Sequence, residues 1–420
     1  MRRPQAFRAL RHRNFKLFFY GQMLSMSGTW VQRIAQGWLA YRLTNSPLLL
    51  GYVTFASSAP AFFLSPLAGV IADRVDRRRM LIFAQALEMM QSGLLAAVTL
   101  WGTITPGRLV LFALLLGIFT AFENPARQSF FVQMVSREDL LNAIALNASA
   151  VNAARVAGPA AAGLLIAAYG EGVCFLINSF SFVAVLVALL AMKLQCITAS
   201  VPPVSAFQAL RQGFIYLRRN LSARSLLMLF AILSFAGTPY LTLLPMFAGD
   251  VLDVGPRGLG WLVTASGIGA IATAISMTFD TDTARLPERL RMASLVFAMA
   301  LVVLGLSRMF LLSLLMMLLI GGGYVMVLAG TQTLLQSWVT DSFRGRVMSF
   351  YSLAFLGMPP FGSLVAGWLA ERMGAPRTVL LGGVVCFVGA LAYRGTGKGN
   401  GQYLERNAQQ TAEVQAGRVW

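Results

Sequence analysis

Apolar residues run along this chain in blocks too long for the interior of a soluble domain. Leu109 to Thr120 and Leu311 to Gly330 are nearly unbroken, and a helix needs about 20 such residues to cross the hydrocarbon of a bilayer. Blocks of that kind fall at 16–41, 48–72, 79–101, 107–124, 142–168 and 172–192, then at 225–248, 258–279, 290–307, 309–338, 347–370 and 377–394. The pattern predicts an all-α membrane protein with twelve transmembrane helices, six in a bundle over 16–192 and six in a second bundle over 225–394. Outside them lie a basic arm at 1–15, a linker at 193–224 and a polar tail at 395–420 that reads as disordered. In the linker, Phe207, Leu210, Phe214, Leu217 and Leu221 recur at steps of three and four, with Arg211, Arg218 and Arg219 elsewhere, which predicts an amphipathic helix on the membrane.

Charge orients these spans. Alternate connections place 26 lysines and arginines on the side of the N-terminus and six on the other, with Arg33 and Arg155 inside spans. Positively charged loops stay in the cytoplasm, so both termini are expected there, in the cytoplasmic (inner) membrane. The same asymmetry accounts for the net charge of +18 without any nucleic-acid partner. Composition agrees: 57% of residues are hydrophobic and 12% charged, against about 25% charged in ordinary soluble domains.

The halves repeat each other. Leu50-Gly51-Tyr52 recurs as Leu259-Gly260-Trp261 at an offset of 209, while Ala162-Gly163 and Gly170 recur as Ala366-Gly367 and Gly374 at an offset of 204. Gln128, Val135 and Gly158 likewise match Gln332, Val339 and Gly362. Parallel six-helix repeats imply a pseudo-two-fold axis along the membrane normal and a central cavity between halves that can rock.

Little in the chain suits bond-making chemistry. His12, the only histidine, lies outside every span, and Cys174, Cys196 and Cys386 are too dispersed for a disulfide framework or a zinc site. No metal, cofactor or catalytic residue is expected. Buried charge is costly in a membrane and usually functional. Glu88 falls roughly 12 Å into the third span, and Arg155 is near the middle of the fifth, on one face with Asn152, Ser149 and Asn142. Arg33 belongs to a stripe of Gln22, Ser25, Thr29, Gln32 and Gln36 on the first span, which is expected to line a wet cavity. Any proton carrier must be a carboxylate, so Glu88 is the candidate, modulated by Arg155 or Arg33; a permanent structural ion pair is the alternative. Glu123, four residues before Arg127, reads as half of a solvated pair. Substrate-cavity candidates are Gln32, Gln36, Gln332, Gln336, Tyr240 and Tyr324, with Trp30, Trp38, Phe62, Phe230 and Phe235; such a cavity suits bulky amphipathic molecules.

Two stretches carry a family resemblance. Gly69-Val70-Ile71-Ala72-Asp73-Arg74-Val75-Asp76-Arg77-Arg78-Arg79 resembles the loop signature GxLaDRxGRR of the major facilitator superfamily, with Asp76 in place of the second glycine. The resemblance implies that Gly69 permits close helix approach and that Asp73, Arg74, Arg77 and Arg78 help to latch an inward gate. Ala150-x3-Ala154-x3-Gly158-Pro159-x2-Ala162-Gly163 resembles the antiporter signature GxxxGxxxGPxxGG of superfamily exporters. Together with Asn124-Pro125-Ala126-Arg127-Gln128, the chain over about residues 7–394 is similar to the branch of drug:proton antiporter type that contains the enterobactin exporter and macrolide efflux proteins. This implies the two-bundle major facilitator fold and export of a small amphipathic molecule, a siderophore, macrolide or other drug, by a monomer exchanging it for protons. The intramembrane arginine of span four found in many proton-coupled exporters is absent, Leu114, Leu115 and Gly117 standing there. The rival on the same scaffold is a lysophospholipid flippase. A polytopic enzyme using Asp280-Thr281-Asp282 as a metal site is more remote, with no carboxylate cluster beside it.

Overall fold

The computed structural model describes residues 5–192, 206–279 and 283–393. The tail at 395–420 and the Asp280-Thr281-Asp282 triplet lie outside the described residues. Six helices form the first half: α1 (Arg13–Thr44), α2 (Pro47–Arg74), α3 (Arg77–Leu100), α4 (Pro106–Met134), α5 (Leu140–Tyr169) and α6 (Glu171–Ala191). A connecting helix, α7 (Ala206–Arg219), leads to α8 (Leu221–Val251), α9 (Gly255–Phe279), α10 (Leu286–Leu306), α11 (Phe310–Trp338), α12 (Phe343–Met373) and α13 (Ala375–Ala392). Eleven of these are long and apolar enough to cross a membrane. The twelfth span, α1, is 32 residues long and is made less apolar by its polar stripe, whose Gln22, Ser25, Gln32 and Gln36 are buried against the rest of the bundle.

Local chemistry sets the helix ends. Ser46 and Thr105 each cap a helix through a side-chain oxygen and are followed by proline at the first helical position. The repeat-related Gly170 and Gly374 adopt φ of +80° and +86°, a conformation open to glycine, and so join α5 to α6 and α12 to α13 without strain. One boundary differs from expectation: α4 does not stop at 124 but continues through Pro125 to Met134. Proline removes only one rung of the ladder, and the added turns bury Ala126, Phe130, Phe131 and Met134. Elsewhere proline reshapes a helix. Pro239 cannot donate to Phe235, and the ladder widens over Leu233–Gly237, Thr238 N–H reaching Leu233 O at 3.2 Å. Leu353–Gly357, just before Pro359 and Pro360, makes the same adjustment in α12.

The halves close on each other at one end. Call this the far end, carrying the α1–α2 and α5–α6 turns, and call the other, with the N-terminal arm and α7, the terminal end. On α2, a methyl placed on Gly51 would lie 2.9 Å from Ser363 O and 3.3 Å from the Gly367 Cα of α12. On α5, one placed on Gly163 would lie 2.6 Å from Pro256 O and 3.1 Å from the Gly260 Cα of α9. These four glycines are the repeat-related pairs found in the sequence, so the two crossings mirror each other across the pseudo-two-fold axis. Tyr41 donates to Asp250 at 2.6 Å, and Ser46 to Glu371 at 2.8 Å, across the same end. Toward the terminal end these two helices part from the opposite half: methyls on Gly69 of α2 or Gly345 of α12 would meet nothing within 4 Å among the described residues.

At the terminal end the basic arm is tied down. Arg8 Nε lies 2.7 Å and His12 Nε2 2.8 Å from the Asp139 carboxylate, Arg8 also pairs with Glu138, and Asn142 accepts from Ala9 N–H. The His12 hydrogen bond, with Arg8 adding to it, holds the Asp139 carboxyl below the usual carboxylate range. A depressed carboxyl stabilises at and above its ordinary pKa, near 4, and loses that contribution only as pH falls through the lower folded value. Asp139→Asn is therefore expected to speed tryptic cleavage at Arg11 and Arg13 at neutral pH, whereas the wild-type arm stays protected down to pH 5; equal cleavage rates would show that the clamp does not hold the arm. Helix α7 packs on α12, Tyr216 stacking on Phe343 at 4.8 Å between ring centroids. Its apolar stripe divides, with Leu217 buried and Phe214 53% exposed.

Candidate functional site

Three cavities meet at Trp30 of α1. The largest, about 290 Å³, lies between the halves, with Arg33, Gln36 and Ser57 on one wall and Thr242 and Pro245 of α8 on the other. A smaller one of about 60 Å³ joins Arg155 of α5 to Tyr240, Ser266 and Tyr324. The third, about 190 Å³, is inside the first half and holds Glu88, Glu123, Arg127 and Gln85. Trp30, Arg33, Leu116 and Thr120 line both the central and the inner cavity, so they form the partition between them.

Inside the partition the polar groups are tightly shared. Glu88 is 4% exposed and accepts a hydrogen bond from Thr120 at 3.0 Å. Glu123 is also buried, accepting from Gln85 at 3.0 Å and facing Arg127 at 3.5 Å. This corrects the expectation of a solvated Glu123–Arg127 pair: extension of α4 through Pro125 carries both residues into the bundle. Of the two arginines expected to act on Glu88, Arg33 lines the same cavity, together with Arg127, and Arg155 does not. Arg33 and Arg155 share Trp30 instead, their guanidinium carbons 5.5 and 5.9 Å from its ring centroid.

The cavity candidates divide. Gln36 lines the central cavity and its Nε2 has no partner among the described residues. Gln32, one turn away, is fully buried: its Oε1 accepts from Ser92 at 2.6 Å and Asn178 at 2.7 Å, and its Nε2 donates to Gln91 at 3.3 Å. It ties α1 to α3 and α6 and does not reach the cavity. Gln32→Leu strands those buried partners, and the expected loss is on the order of 2 kcal/mol, read as a lower melting temperature in detergent; an unchanged one would mean that the partners satisfy each other. Tyr240, its hydroxyl 3.3 Å from Ser266, and Tyr324 line the small cavity. Gln332 and Gln336 are exposed toward the terminal end of α11, away from all three cavities. Phe230 is buried, stacked on Tyr351 inside the second half.

This arrangement, a polar cavity at the interface of two like bundles, can enclose a small molecule and expose it at one end. Residues 5–404 match the family described as transmembrane secretion effector. The chain belongs to that family of major facilitator transporters. Among its relatives are the staphyloferrin A transporter of Staphylococcus aureus, 26% identical over 88% of this chain and 92% of that one, and macrolide efflux protein A of Streptococcus pyogenes, 23% identical over 90% and 95%. The multidrug efflux pump Tap of Mycolicibacterium fortuitum is 22% identical over 87% and 91%. The nucleoside transporter NupG has the same fold, with a TM-score of 0.72 at 14% identity over 91% of this chain and 98% of that one.

Several contacts of the loop after α2 lie within its own half. Asp76 caps α3 by accepting from Arg78 N–H at 2.9 Å. Arg77 donates to Ser129 O of α4 at 3.1 Å, and Arg78 to Leu189 O and Leu190 O at the end of α6 at 2.8 and 3.0 Å, where helix carbonyls lack partners. Arg74 is exposed. In the antiporter-like stretch, Gly158 lets α5 meet α1, since a methyl there would lie 2.5 Å from the Trp30 Cβ. Pro159 O and Gly163 face Gly260 at the far-end crossing. The glycines of this stretch are thus placed where helices touch, a role that small-residue spacing suggests but cannot assign to a particular partner helix; Gly69, by contrast, makes no close helix approach among the described residues, a methyl there meeting nothing within 4 Å.

Proposed function

We propose that the protein is a secondary exporter of the cytoplasmic membrane, acting as a monomer with both termini in the cytoplasm. It moves a small amphipathic compound, a siderophore, macrolide or other drug, outward by alternating access in exchange for entering protons. The observation that carries this reading is the central cavity, closed at the far end by the paired glycine crossings, with α2 and α12 parting from the opposite half toward the terminal end. With the basic loops in the cytoplasm, that is an inward-facing carrier. The relatives, a staphyloferrin A transporter, a macrolide efflux protein and a multidrug efflux pump, support the substrate range, and the two efflux proteins the direction. Glu88 is the proton-carrying carboxylate in this scheme, lining the inner cavity with Glu123 and separated from the substrate cavity by Trp30, Arg33, Leu116 and Thr120.

The test is accumulation of a labelled siderophore and a labelled macrolide in a host lacking its own pumps, with and without a protonophore. Lower accumulation on expression, restored by the protonophore, is the expected result. Unchanged accumulation of every compound tried, with the protein present in the membrane, would sink the export reading.

A further inference from the structure

The charges facing the substrate cavities are of one sign. Arg33 reaches the central cavity and Arg155 the small one, both against Trp30. No carboxylate lines either cavity among the described residues, and neither arginine forms an ion pair there. Two guanidinium groups beside one indole repel each other; the indole face offsets part of that cost, and Glu88 shares only the inner cavity with Arg33, not the central one. The rest of the wall adds the unpartnered amide Nε2 of buried Gln36 and the hydroxyl of Tyr240, shared with Ser266. A buried donor left without an acceptor is costly, and so are two like charges on the cavity walls with no carboxylate facing them there. Both costs disappear if the guest brings negative oxygens.

We infer that the transported molecule carries an anionic oxygen group, held between Arg33 and Arg155 beside Trp30. Guanidinium groups pair in forked fashion with carboxylates and phosphates alike, so the shared chemistry is the anionic oxygen, and the apolar part of the guest lies against Trp30 and Pro245. This rests on the transport reading only in calling the guest a substrate. The site itself is tested on purified protein, where failure of the site and failure of export are separate results.

The experiment measures binding to detergent-purified full-length protein by calorimetry and ligand-induced thermal shift, with three probes: naphthalene-2,6-dicarboxylate, its neutral dimethyl ester, and lysophosphatidylglycerol. The dicarboxylate is expected to bind and the ester not. Arg33→Gln and Arg155→Gln should each weaken the dicarboxylate by roughly thirtyfold or more, with Arg33→Lys recovering part of the loss. Unliganded melting temperature and elution volume confirm that each variant is folded. Tighter binding of lysophosphatidylglycerol, lost in the same variants, would keep the anion site and assign it to a lipid headgroup. Equal binding of acid and ester, binding of no probe, or folded arginine variants that bind like the wild type would each overturn the proposal.

Discussion

Leucine at position 163 is expected to reduce export at least tenfold while leaving the protein folded and in the membrane. Its Cβ would fall 2.6 Å from Pro256 O and 3.1 Å from the Gly260 Cα, both backbone, so the neighbour cannot swing aside as a side chain would. Overpacking of that kind costs about 1–3 kcal/mol, and each 1.4 kcal/mol is tenfold in a population. On the proposed cycle the penalty falls only on the state with the far end closed, so the carrier is trapped with that end open. Spin labels at Tyr169 and Met309, both exposed near that end on opposite halves, should read a longer distance in Gly163→Leu. Gly107→Ala is the control, since a methyl there meets nothing within 4 Å. Wild-type distances together with full transport in Gly163→Leu would show that the crossing bears no load in the cycle.

Glu88→Gln is the second large effect. Glutamine keeps the shape and can still accept from Thr120, so the fold should survive while the proton site of the proposed scheme is lost. A side chain that transfers a proton contributes about a hundredfold or more to the step it serves, and uphill export is expected to fall on that order while downhill exchange of substrate persists. Loss of both modes together would mark Glu88 as structural. Arg33 gives the variant a second phenotype. Arg33 lines both the cavity that holds Glu88 and the central one, so the carboxylate and an anionic guest would share its charge, and removing the carboxylate charge should tighten anion binding by roughly fivefold. Proton and anion then do not compete for one site. Exchange has to be enforced at the conformational step, by a doubly loaded carrier that does not turn over.

The spans, the two halves and the polar character of α1 were legible because a bilayer imposes length and apolarity on every crossing segment. The repeat was legible too, and its matched glycines turned out to touch. The neighbour covering each polar residue was not. Gln32 and Gln36 are one turn apart and look alike in sequence, yet Ser92 and Asn178 close over the first while the second faces the cavity. Glu123 was misread because a proline at 125 looks like the end of a span, whereas tertiary burial of the following turns carries the helix on. The widened turns at Leu233–Gly237 and Leu353–Gly357 shift the faces of α8 and α12, so a regular helical period assigns their side chains wrongly beyond those points.

The far-end crossings have the form of an isologous contact. The surface around Gly51 meets the one around Gly367, whose counterpart Gly163 meets Gly260, the counterpart of Gly51: patch i on j and j on i, as a two-fold dimer imposes on identical subunits. Each half therefore carries both members of its own binding pair. A six-helix half produced alone would present, at that end, a surface complementary to a second copy of itself, and self-association through Gly51 and Gly163 is what its geometry favours.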